Sequence, residues 1–138
     1  MALDLGERRI GVALSDALGL TAQPLLTLTR RSWVADLGAL SRLVQEHEVG
    51  RIVVGLPLGM DGSRGARVDW AEDFMARAAR ATGLPVEAWD ERMTTVQAER
   101  ALLEGNASRA RRKLVIDQVA AVILLQSYLD ARRSAEGV

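Results

Sequence analysis

The 138-residue chain has no cysteine, which excludes disulfides and thiolate metal sites and leaves stability to packing. Histidine occurs once, as His47 between Glu46 and Glu48. That solvated, acidic setting argues against a catalytic imidazole, and neither a zinc cluster nor a Ser-His-Asp set is in view. Charge of one sign is missing too. Eighteen basic and 18 acidic side chains cancel, so nothing resembles a basic tail that would coat any polyanion without discrimination. The longest strongly apolar run, VAAVILL at 119–125, falls far short of the roughly 20 residues a membrane crossing needs. Asp4, Glu7 and Arg8 stand where a signal peptide would carry a basic segment and an apolar core, so the cytoplasm is the expected location. Aromatics are scarce, with three Trp, one Tyr and one Phe, and few are available to stack on bases.

What the chain does have is a 49% hydrophobic content, enough for one compact domain spanning residues 1–138. ALDLG and IGVALS read as short strands joined by GERR, a hairpin in which Gly6 can take positive φ. PLLTLT at 24–29 alternates as a third strand would. Val34, Leu37, Leu40, Leu43 and Val44 recur at helical spacing. RIVVGLP at 51–57 is a β-branched run ending in Gly and Pro, as a buried strand should. Residues 65–82 return to helical spacing and Gly83 is a C-terminal stop. PVEAWDE at 85–91 forms another strand, TTVQAERALL opens a helix with Thr94 and Gln97 in capping-box register, and a long helix runs from about Arg111 to Arg132. Three strands followed by βα crossovers imply an α/β fold, a mixed sheet with helices on its faces.

The carboxylates carry the chemistry. Asp4 lies among Leu3, Leu5 and, across the hairpin, Ile10 and Val12, where an ionised group must be paired or bind a metal. Asp90 and Glu91 close the last strand, at the sheet edge where α/β proteins present ligands. Alternation sends these two to opposite faces, so only one of them faces Asp4. Asp117 lies on the helix KLVIDQVAAVILLQSYL, on one stripe with Leu114, Ala121, Leu124 and Tyr128. An i,i+4 pair with Lys113 is the structural alternative, in its weaker orientation. Three carboxylates so gathered would hold hard cations, Mg²⁺ or Mn²⁺, and two such ions can activate a water without a histidine base. Asp16, Asp61 and Glu7 read as turn or surface residues.

Two stretches suggest phosphate contacts. GLPLGMDGSRG at 55–65 places Gly55, Gly59, Gly62 and Gly65 between strand and helix, with Arg64 and Arg67 beyond, and glycines permit a close backbone approach. RARRK at 109–113 packs Arg109, Arg111, Arg112 and Lys113, the single lysine, into five positions.

Taken together, DLGERRIGVALSD, IVVGLPLGMDGS, DERMTT and KLVIDQVAAVILLQSYL resemble the YqgF/RuvX family, in the family's order and from Ala2 to about Asp130. Members are described as Holliday junction resolvases and as nucleases maturing the 5′ end of pre-16S rRNA. The resemblance implies an RNase H-like fold, with a five-stranded mixed sheet whose first three strands are antiparallel. It carries the acidic positions onto Asp4, Glu91 and Asp117, with Asp90 in reserve should the register shift by one. Met93 stands where leucine is commoner and Gly59 where a polar residue is common. The implied reaction is metal-dependent hydrolysis of a phosphodiester, leaving a 5′-phosphate and a 3′-hydroxyl, on precursor rRNA or branched DNA. Junction resolution would require a homodimer. Two other readings stay open: a non-catalytic RNA-binding module in ribosome assembly, and an actin-like ATPase, whose phosphate-binding hairpin the DLG turn also resembles but which needs a second domain.

Overall fold

A computed structural model describes residues 1–57, 65–91 and 109–135, the last stretch with side chains from Ile116 onward. The order is β1 (Ala2–Leu5), β2 (Arg9–Ser15), β3 (Ala22–Thr29), α1 (Trp33–Glu46), β4 (Ile52–Leu56), α2 (Ala66–Thr82), β5 (Val86–Asp90) and α3 (Arg109–Ala135). The strands form one sheet in the order β3-β2-β1-β4-β5. The β1–β2 and β2–β3 pairs are antiparallel, whereas β1–β4 and β4–β5 are parallel. The candidate capping box at Thr94 and Gln97, together with Asp61 and Met93, falls outside the described residues.

Local chemistry accounts for the boundaries. Ser32 caps α1 by accepting from the Ala35 N–H at 3.1 Å, and the Arg31 N–H donates to Asp36 at 3.0 Å. Gly83 ends α2 at φ 72°, in the left-handed region that glycine enters without strain. Pro24 is tolerated because β3 is an edge strand, beside a register shift opposite Val12 and Ala13. Gly6 is not among the residues with positive φ. Its requirement is space instead: its N–H donates to the Arg9 carbonyl at 2.8 Å, and a Cβ would lie 2.7 Å from that same oxygen.

The sheet has two differently built faces. Leu3, Leu5, Ile10, Val12, Ile52, Val54 and Leu56 pack under α1 and α2 with Leu40, Leu43, Val68 and Phe74. Each such large side chain contributes about 1.5–3 kcal/mol on burial. Trp33 stacks on Trp70 at 5.5 Å, while Arg30 and Arg77 cover Trp70 and Trp33 respectively. These tryptophans belong to the packing rather than to an open platform. The opposite face, covered by α3, is lined by small residues, with Ala2, Ala13 and Val53 meeting Ala120, Ala121, Leu124, Leu125 and Tyr128. Small side chains let the helix come close to the strands. No helix among the described residues is long and apolar enough to cross a membrane.

Candidate active site

Asp4 belongs to the α3 face. Side chains alternate along a strand, so Asp4 shares its face with Ala2, and its antiparallel partner is Gly11. On the other side, β4 pairs Ala2 with Val53 and Leu3 with Val54, which brings Gly55 level with Asp4. The carboxylate is therefore flanked in the sheet by two glycines, and at 2% exposure it is the one buried charged residue among those described.

Each glycine receives a further acid. At Gly11, α3 comes so near that a Cβ would lie 1.9 Å from the Asp117 carbonyl oxygen. A glycine inside a strand commonly marks such an approach. At Gly55, a Cβ would lie 2.8 Å from Glu91 Oε1 and 3.3 Å from Leu124 Cδ1. Gly55 thus lies within β4, as a seat for Glu91, and not in the following loop. The choice between Asp90 and Glu91 follows from the same parity. Glu87 bonds to Tyr128 and Trp89 packs edge-on against it, so both face α3. Glu91 continues that alternation, and Asp90 points to the other side.

The Asp117 carboxylate accepts from Arg9 Nε at 3.2 Å. Arg9 stands two residues before Gly11 on β2 and therefore on the same face. Neither Arg9 nor Gly11 stood out in the sequence. A glycine opposite an acidic strand residue was the available signal for Gly11, whereas a pair separated by 108 positions leaves none. The stripe of Ala121, Leu124 and Tyr128 on α3 is buried as its spacing predicts, and Leu114 lies outside the described side chains. Among the described residues no three His, Asp or Glu side chains are close enough together to share one ion as they stand; the Asp117 carboxylate is turned toward Arg9. The donor set nevertheless consists of carboxylate oxygens alone, carried on elements converging on Asp4, which suits a hard divalent cation.

Arg67 is exposed on the first turn of α2 and borders a cavity of about 310 Å³ with Leu5, Gly6, Arg30, Pro57 and Trp70. That cavity lies at the carboxyl end of β1 on the α2 side, and Asp4, on the opposite face of the sheet, is not among the residues that line it. Arg64, Gly59 and Gly62 fall outside the described residues, as do the side chains of Arg109, Arg111, Arg112 and Lys113 at the start of α3. Asp16 is a turn residue that accepts from the Leu20 and Thr21 N–H groups at 2.7 and 3.3 Å, and the first of these bonds is the main cause of its lowered pKa. Glu7 and His47 are exposed.

A family model described as "RuvX: Holliday junction resolvase" matches residues 1–131. The chain belongs to the RuvX family. A protein of Myxococcus xanthus (strain DK1622), named "Putative pre-16S rRNA nuclease", is 56% identical over 133 residues, covering 96% of this chain and 88% of its own length. A relative of the same name from Symbiobacterium thermophilum is 55% identical over 130 residues, covering 94% and 90%. Among solved structures, Thermus thermophilus RuvC in complex with a Holliday junction substrate superposes with a TM-score of 0.57 at 17% identity, covering 95% of this chain and 93% of that one. A second Thermus thermophilus RuvC structure gives 0.55 at 19% identity, covering 96% and 94%. This likeness establishes the fold of this RuvX member as RNase H-like.

Proposed function

We propose that this RuvX member is a metal-dependent nuclease, a single RNase H-like domain over residues 1–138, that hydrolyses phosphodiester bonds at the 5′ end of pre-16S rRNA in the cytoplasm. The observation that carries the reading is the buried Asp4 carboxylate between two glycines, one under Asp117 and the other under Glu91. Asp4 would be the central ligand for the divalent ions, with Glu91 and Asp117 as the outer ligands. Mg²⁺ or Mn²⁺ held there supplies Lewis acidity at the scissile phosphodiester. The chain's own part is orientation. Sheet hydrogen bonding fixes Asp4, the contact with Gly55 fixes Glu91, and the docking of α3 on Gly11 fixes Asp117. Arg64 and Arg67, with Arg109, Arg111, Arg112 and Lys113, contact the phosphate backbone, and neutralising them flattens the salt dependence of binding.

The names carried by relatives at 55–56% identity support the rRNA substrate. The description of the family supports a second reading, junction resolution by a homodimer. The test compares wild type with Asp4→Asn, in Mn²⁺ or Mg²⁺, on a pre-16S 5′ leader, single-stranded RNA, single-stranded DNA and a four-way junction. Cleavage of the leader that is lost in Asp4→Asn and in chelator is the expected result. Preference for the junction, with paired symmetrical cuts, would move the assignment to resolution. Undiminished cutting by Asp4→Asn would remove Asp4 from the mechanism, and binding without cutting would leave a non-catalytic RNA-binding module.

A further inference from the structure

We propose that Arg9 is a place-holding cation. It occupies the Asp117 carboxylate while the site holds no divalent ion, and it is displaced when the ion binds. The inference rests on the reading of Asp4, Glu91 and Asp117 as metal ligands.

Bringing acidic side chains together in a poorly solvated cleft sets like charges against one another. Asp117 has nowhere to retreat, because its main chain is pressed onto Gly11, where not even a Cβ would fit. Within that constraint the side chain can still rotate, and its Oδ2 reaches the Arg9 Nε at 3.2 Å. The pair is substantially shielded, with 27% of the Arg9 side chain and 15% of the Asp117 side chain exposed. Arg9 shares the sheet face of Gly11, so its guanidinium approaches Asp117 along the sheet surface.

An arginine that merely stapled α3 to β2 would keep its bond in every state. A place-holder must give it up, because a ligating Asp117 has to direct its carboxylate toward the ion that it shares with Asp4. Arg9 and the ion therefore compete for one carboxylate. Competition lowers the apparent affinity for the ion, and by linkage the ion cancels the stability that Arg9 provides.

The test uses wild type, Arg9→Met, Arg9→Lys and Asp4→Asn, with Mn²⁺ binding measured by calorimetry in the absence of nucleic acid. Met keeps most of the apolar stem and removes the charge. Arg9→Met should bind Mn²⁺ about fivefold more tightly than wild type, as loss of one partly shielded pair predicts. Arg9→Lys should return toward the wild-type value. Thermal unfolding supplies the second readout: the Tm difference between wild type and Arg9→Met should be present in EDTA and vanish in saturating Mn²⁺. Equal or weaker Mn²⁺ binding by Arg9→Met, or a Tm difference unchanged by Mn²⁺, overturns the proposal and makes Arg9 a staple. Failure of wild type to bind Mn²⁺, or undiminished binding by Asp4→Asn, overturns the metal site itself and the place-holder with it.

Discussion

Replacing Gly11 by alanine should separate the assembly of the site from its chemistry, because the substitution adds one methyl group and removes no functional atom. The new Cβ would lie 1.9 Å from the Asp117 carbonyl oxygen, against the 3.4 Å at which ordinary contact begins, so α3 and β2 must part by about 1.5 Å. The obstructing atom is backbone in a helix that contacts β1, β2 and β3, so no side-chain rotation relieves the clash. Parting the layers loosens Ala120, Ala121 and Leu124 from Ala2, Ala13 and Val53, and overpacking of this kind costs about 1–3 kcal/mol. Misplacing a catalytic group by about 1 Å costs roughly 100-fold in rate. Gly11→Ala should therefore fold, lose about 1–3 kcal/mol in urea unfolding, and cleave about 100-fold more slowly in single-turnover assays on the same preparation. Wild-type cleavage by this variant would refute the claim that the approach of α3 to Gly11 sets the position of Asp117.

Gly55→Ala meets a side chain rather than a backbone, with Glu91 Oε1 at 2.8 Å and Cγ at 3.1 Å. Its urea midpoint should barely move while the Mn²⁺ concentration needed for half-maximal cleavage rises; the reverse pattern would detach Glu91 from the site. Tyr128 donates to Glu87 at 2.5 Å and lies within bonding distance of Arg51 and Arg132, at 3.3 and 3.1 Å. Tyr128→Phe should cost about 1–2 kcal/mol in unfolding free energy without slowing cleavage. Asp16 has its pKa lowered chiefly by the Leu20 N–H, so its ionised form supports the β2–β3 turn. That support is complete above the ordinary value of 3.8 and is lost as the pH falls through the lower folded value. The Tm gap between wild type and Asp16→Ala should accordingly be constant near neutrality and close in acid below that range.

Strands and helices were legible wherever a run met its own period. IVVGL is apolar throughout because β4 is buried on both faces, whereas LTLT alternates because Leu26 and Leu28 pack on the α1/α2 side while Thr27 faces Gln118 of α3. What periodicity could not provide was the face. Alternation separates Asp90 from Glu91, but choosing between them requires knowing that Tyr128, some forty positions later, covers the side to which Glu87 and Trp89 point. The Asp117 partner was hidden for the same reason. A helical reading offers only neighbours such as Lys113, whereas Arg9 comes from a strand at the other end of the chain. Gly6 was recognisable as a turn glycine, yet its need is clearance from the Arg9 carbonyl rather than a left-handed φ.

The three carboxylates come from positions 4, 91 and 117, and the last is delivered by the helix that closes the sheet. A ribosome making this protein therefore releases Asp4 early and the means of completing its site late. Until α3 has emerged and docked, Gly11 faces solvent and Asp117 has no position to occupy. On the proposed reading, a nascent chain that has not yet delivered α3 lacks one of the three carboxylates that would hold the metal. Under that reading the site is completed in a single late step, and a proteolytic cut before α3 would undo it just as completely.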